Sequence, residues 1–183
     1  NREWKKNTRG TAWTPGETVI AGIGQGFVLT TPIQLSVMTA RLANGKKAVK
    51  AKLLSEAAKN SEDFLPLNIN GSVLKEIQRS MRSVISSGRG TARKYELNGY
   101  KLAGKTGTVQ VKRITKAERE EGIIDNIDRR WKDRDHALFV GYAPYDKPKY
   151  AISVIVEHGG SGSSMAAPIA RDILQFALER HLV

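Results

Sequence analysis

Ala137-Leu-Phe-Val-Gly-Tyr142 and Tyr150-Ala-Ile-Ser-Val-Ile-Val-Glu157 are joined through Ala143-Pro-Tyr-Asp-Lys-Pro148. β-Branched and aromatic residues on a period of two, separated by prolines and an aspartate, read as two antiparallel strands and their turn. Tyr100–Val111 has the same character and supplies a third strand. Between it and the hairpin, Lys112–Asp135 holds 15 charged residues in 24. Such a segment cannot bury itself and is expected to be a solvated, mobile insertion. Past the hairpin, Gly159-Gly-Ser-Gly-Ser-Ser164 leads to a closing helix over 166–181, with Pro168 in its first turn. Ile169, Ile173, Phe176 and Ala177 are its expected buried stripe.

Upstream the period changes to helical. Val73, Ile77, Met81 and Val84 mark a helix over 71–86, and Ile33, Leu35, Val37, Met38 and Leu42 mark another. The latter starts at Thr31-Pro32 and stops at Asn44-Gly45. Residues 46–54 alternate as a possible strand, 55–69 read as an exposed loop, and 1–20 read as an extended arm around Thr14-Pro-Gly16. The fold class is α+β, an antiparallel sheet packed with helices, in one domain or a large part of one. A chain of 183 residues can bury roughly 70% of its unfolded surface in such a core.

Composition excludes several classes. With no cysteine there is no disulfide framework, thiol nucleophile or cysteine zinc site. No apolar run reaches the length of a membrane span. The net charge of +12 is uneven: residues 1–50 carry 8 basic and 2 acidic groups, 51–110 carry 10 and 5, and 111–183 carry 12 and 11. That excess attracts nucleic acid, an anionic membrane or a carboxylate-bearing polymer without choosing among them. Aromatics are only 7%, and Trp4 and Trp13 stand apart in the sequence, which argues against a stacking platform for nucleic acid.

Gly22-Ile-Gly24-Gln-Gly26 fails as a dinucleotide fingerprint because Phe27 occupies the third glycine position and no clean strand precedes it. His136 and His158 abut strand ends with no nucleophile or carboxylate aimed at them, so both read as structural; His181 reads as terminal fraying. Lys105-Thr-Gly107, with Thr108, differs by lying inside a strand. There a lysine supplies fixed charge, a threonine a hydroxyl, and a glycine leaves room for an incoming substrate backbone. This tripeptide is one third of the active-site signature of the penicillin-recognising serine enzymes.

Further strings occur in family order: Arg2-Glu-Trp-Lys5, Gly24-Gln-Gly26 with Thr31-Pro-Ile-Gln34, and Gly88-Arg-Gly-Thr-Ala92. Gly104-Lys-Thr-Gly-Thr108, His136-Ala-Leu-Phe-Val-Gly-Tyr-Ala-Pro144 and Ala166-Ala-Pro168 complete them. In this ordered set the sequence resembles the C-terminal part of a class B penicillin-binding protein transpeptidase domain, of the elongation rather than the division type. The resemblance implies a β-lactamase/transpeptidase-like fold, a catalytic role for Lys105 and Thr108, and substrate binding by Thr106, Gly107 and Thr108. Lys105 would stabilise the donor carboxylate and the proton network, and Thr106 and Thr108 would hydrogen-bond that carboxylate. The Thr108 N–H would form half of an oxyanion hole, and Gly107 would keep the strand edge open.

The resemblance also implies peptidoglycan stem peptides and β-lactams as ligands, cell-wall elongation proteins as partners, and no metal, cofactor or nucleic acid. The parent would sit at the periplasmic face of the inner membrane, held by an anchor upstream. Ser72-Val-Leu-Lys75 matches the Ser-x-x-Lys nucleophile motif by letters only. It lies 33 positions before Lys105, too close for the intervening helical part, and no Ser-x-Asn follows it. The expected nucleophile therefore lies upstream of Asn1, and this chain alone is expected to be inactive. A non-catalytic binding or sensing module of the same fold, and a basic anion-binding domain, are the other readings.

Overall fold

The computed structural model describes residues 1–52, 64–112 and 114–180. The chain divides into two compact units, Asn1–Thr30 and the remainder from Thr31.

The first unit is helical where an extended arm was expected. α1 (Arg2–Arg9) is capped by Asn1, whose side chain accepts the Trp4 N–H at 2.8 Å, and ends at Gly10 in the left-handed region. α2 (Pro15–Gly22) opens with a capping box between Thr14 and Glu17, and Pro15 fits its first position. The Thr-Pro-Gly signal thus starts a helix. Lys5 is 6% exposed; its ammonium pairs with Glu17 and donates to the Ala12 carbonyl at 2.6 Å. That partner, with the Thr14 N–H, holds the Glu17 carboxyl below its ordinary pKa. Trp4 and Trp13, separate in sequence, converge on the Phe27 ring at 5.7 and 6.4 Å between centroids.

In the second unit, α3 (Pro32–Asn44) begins with a Thr31–Gln34 capping box and stops at Gly45, φ 65°. α4 (Gly71–Ser86) is capped by Asn70. The sheet follows: β1 (Ala103–Val109), β2 (His136–Ala143) and β3 (Tyr150–Val156), antiparallel in the order β1-β2-β3. Register pairs Gly104 with Gly141, Thr106 with Phe139 and Gly107 with Leu138. Gly104 and Gly141 lie over the fully buried Phe139 ring, and a side chain at either would strike it. α6 (Ala167–Glu179) buries Ala167, Ala170, Leu174 and Leu178 against Ala137, Phe139 and Ala143. Ala43 of α3 and Met81 of α4 pack with Ala103 and Tyr142 in a second cluster. Burial raises the Tyr142 pKa well above its ordinary value.

Two further expectations need correction. The buried stripe of α6 is rotated from the expected one: Ile169, Ile173 and Phe176 are 42%, 50% and 51% exposed, while small Ala167 and Ala170 face the sheet. Close helix–sheet approach favours alanine there, so bulk alone misassigns the inner face. The possible strand at 46–54 is only an isolated bridge, Lys47 to Pro66, with 53 and 54 outside the described residues. The loop at 55–69 is likewise described only from 64.

The insertion is solvated, as its charge predicts, and carries local structure. It contains α5 (Lys116–Glu121), capped by a Thr115–Glu118 box, and 3-10 turns at Asn126–Asp128 and Trp131–Asp133. Charge pairing does what apolar burial cannot: Lys112 meets Glu118 at 2.6 Å, Arg130 meets Asp133 at 2.8 Å, and Arg129 meets Asp135 at 3.4 Å. The Lys112 ammonium, the Thr115 N–H and the Thr115 hydroxyl hold the Glu118 carboxyl at a pKa of about 2.

Candidate active site

Lys105, Thr106, Gly107 and Thr108 lie together on β1, an outer strand whose one neighbour among the described residues is β2. An outer strand is where an extended peptide can add to a sheet edge. Thr106 and Thr108 sit opposite Phe139 and Ala137, on one side of the strand, and Lys105 and Gly107 alternate with them. Lys105 is exposed and its ammonium donates to the Thr106 carbonyl at 2.6 Å. The Thr106 hydroxyl lies 2.9 Å from that of Thr91.

Thr91 belongs to Gly88-Arg-Gly-Thr-Ala92, the turn that leaves α4. Gly90 presses against the Ser83 and Val84 carbonyls, where a Cβ has no room, and the Ala92 N–H bonds the Val84 carbonyl at 3.0 Å. The helix end therefore sets where the Thr91 hydroxyl meets the strand. The strand entry is held at the fully buried Leu102. Arg82 donates to its carbonyl at 2.8 Å, Glu96 accepts its N–H at 3.0 Å, and Arg82 and Glu96 pair at 2.6 Å. From the sheet face, Gly162 opens a π-turn (Gly162–Ala166) lying on the Gly107 and Leu138 carbonyls; a side chain at 162 would collide with both.

These positioning residues escape sequence reading in different ways. Gly88-Arg-Gly-Thr-Ala92 is visible as a string but carries no geometry. Arg82 and Glu96 look like solvated charges, and Gly162 lies in a run that reads as a linker. The remaining candidates behave structurally. The Ser72 hydroxyl donates to Asn70 at 2.7 Å within the α4 cap. His136 Nδ1 accepts the His158 backbone N–H at 2.9 Å, and the Trp131 ring lies 4.3 Å from that of His158. His181 is outside the described residues. Gly24 and Gly26 have φ values of 75° and 72°, a backbone role that needs glycine. Among the described residues no group of three or more His, Cys, Asp or Glu could hold a metal ion.

Residues 4–175 match the model of the penicillin binding protein transpeptidase domain. The chain belongs to this transpeptidase family. It is 35% identical over 191 residues to peptidoglycan D,D-transpeptidase MrdA of Haemophilus influenzae, covering 99% of this chain and 29% of that protein. It is 39% identical over 182 residues to MrdA of Acinetobacter baumannii, covering 92% and 26%. Among solved structures, penicillin-binding protein 2 of Pseudomonas aeruginosa in complex with WCK 5153 is 35% identical, TM-score 0.72, covering 99% of this chain and 37% of that one. Penicillin-binding protein 2 of Helicobacter pylori in complex with MreC is 28% identical, TM-score 0.78, covering 100% and 31%. The chain thus spans under a third of the length of these curated relatives. The α+β sheet with flanking helices is the penicillin-recognising fold of the family.

Proposed function

We propose that this chain is the catalytic-strand portion of a peptidoglycan D,D-transpeptidase of the elongation type, acylated also by β-lactams. One observation carries the reading: Lys105-Thr-Gly-Thr108 occupies the outer strand of the described sheet, buttressed by Thr91, within a chain similar to MrdA over nearly its whole length. A serine contributed from outside residues 1–183 attacks the penultimate D-Ala carbonyl of a stem peptide, and D-Ala leaves. The acyl-enzyme then passes to an amine of a neighbouring stem. Lys105 and the hydroxyls of Thr106 and Thr108 hold the donor carboxylate. The Thr108 N–H stabilises the tetrahedral oxyanion, a donor worth about 10²–10³ in rate. No metal or organic cofactor enters this chemistry.

The H. pylori relative was solved with MreC, which supports an elongation-complex protein as partner. No helix among the described residues is long and apolar enough to cross a membrane. In this reading the anchor lies upstream, and the domain faces the periplasm. Intact-mass spectrometry after exposure to a reactive penicillin tests the proposal, on this chain and on a polypeptide extended upstream by about 200 residues, a domain's length. An adduct on the longer polypeptide only, lost on Lys105→Ala, is expected. An adduct on Ser72 of the short chain would reassign the nucleophile. No adduct on either would favour a non-catalytic binding module.

A further inference from the structure

Asp135, the last residue of the charged insertion, occupies a junction that neither its sequence nor its family membership assigns. Its side chain is 14% exposed. Oδ1 accepts the Val111 N–H at 3.2 Å, two residues beyond the end of β1. Oδ2 accepts from Asn126 Nδ2 at 3.2 Å, and the Arg129 guanidinium donates at 3.4 Å. Asn126 reciprocates by accepting the Asp135 N–H at 3.0 Å. The Asp135 carbonyl accepts the Gly160 N–H at 2.8 Å, two residues before Gly162, which rests on Gly107. One residue therefore ties together the exit of the catalytic strand, the insertion, and the loop that backs that strand from the sheet face.

We infer that Asp135 is a positioning residue for the acylation step, holding the strand segment Gly107–Val111 so that the Thr108 N–H is placed for the oxyanion. Two of its links bear on that segment from different directions. The carboxylate fixes Val111 along the chain, and the carbonyl fixes the Gly160 turn that carries Gly162 onto the Gly107 carbonyl. A strand end freed at Val111 frays from Val109 toward Thr108, while Lys105 and Thr106 stay held by Leu102 and Thr91. Loss of the Asp135 carboxylate, with the carbonyl link to Gly160 kept, thus lowers the rate of bond formation more than the strength of ligand binding, which loses the Thr108 hydroxyl but keeps Lys105 and Thr106. Misplacement of a reacting group by about 1 Å can cost up to 10²-fold, and partial fraying corresponds to roughly a tenfold loss.

This inference rests on the transpeptidase reading, and the test separates the two. Stopped-flow acylation of the full-length protein by a fluorescent penicillin resolves the acylation rate constant from the non-covalent dissociation constant, per titrated active site. For Asp135→Ala we expect the rate constant to fall about tenfold, with the dissociation constant changed less than about threefold. Asp135→Asn keeps an acceptor for Val111 but not the charge for Arg129, and falls in between. Arg130→Ala, which breaks an exposed pair in the same insertion, stays within about twofold. Equal rate constants for Asp135→Ala and the unmutated protein, or equal losses in Asp135→Ala and Arg130→Ala, overturn the inference. Absence of acylation in the unmutated protein overturns the transpeptidase reading itself.

Discussion

Replacing Gly162 by alanine tests whether the π-turn is wedged against the catalytic strand. The added Cβ would overlap the Gly107 and Leu138 carbonyl oxygens and lie 3.0 Å from the Gly107 nitrogen. All three atoms belong to the hydrogen-bonded β1–β2 ladder, so none can swing away as a side-chain tip would. The turn must move by about 1 Å to restore contact distance, and overpacking of this kind costs about 1–3 kcal/mol. Gly71→Ala is the matched control. It opens α4, and nothing lies within 4 Å of its added Cβ. There the same methyl removes unfolded-state freedom and stabilises by about 0.4–1 kcal/mol. The two substitutions therefore have opposite signs. In urea unfolding with a slope of about 2 kcal/mol/M, the Gly162→Ala midpoint should fall by about 1 M while the Gly71→Ala midpoint rises slightly. Equal midpoints for the two variants would refute the packing argument.

Phe139→Ala should cost about 3–5 kcal/mol in the same assay, because Gly104 and Gly141 carry no side chain to fill the space the ring leaves. Arg82→Leu leaves Glu96 and the Leu102 carbonyl without their charged donor and should cost about 1.5–3 kcal/mol. A double-mutant cycle with Glu96→Gln should show coupling, and strict additivity would rule the clamp out. Glu118 has a folded pKa of about 2 against an ordinary 4.5. Its contribution to α5 is therefore complete above about pH 4.5 and is lost as pH falls toward 2. A carboxyl NMR titration centred near 4.5 instead would contradict the capping-box arrangement. Tyr142 has the opposite sense. Its raised pKa means that its share of stability holds below pH 10 and is lost as pH rises above it, seen as late tyrosinate absorbance in an alkaline titration.

Local signals in the chain were strong where one residue type answers one physical need. Thr31-Pro32 and Asn44-Gly45 bound α3, because a hydroxyl must cap the first turn and only glycine enters the left-handed region cheaply. Residues 71–86 form a helix at the bounds their periodicity predicts. The alternation at 137–142 and 150–157 became the paired hairpin of β2 and β3, and Lys105–Thr108 lies within a strand. Periodicity misled on α6, where small residues face the sheet, and the Thr-Pro-Gly signal misled on 1–20, where it starts a helix.

The sequence by itself therefore determined the α+β class, the two principal helices and the sheet strands, and it singled out the residues proposed for the site. The helices and strands depend on neighbours within a few positions along the chain. Tertiary structure alone decided that the Lys-Thr-Gly strand lies at a sheet edge, that Thr91 meets Thr106, that Arg82 and Glu96 clasp Leu102, and that Gly162 and Asp135 brace the strand from behind and beyond. Those contacts join residues 6 to 55 positions apart. Their partners are set by sheet register and helix packing, which no local pattern of residues encodes.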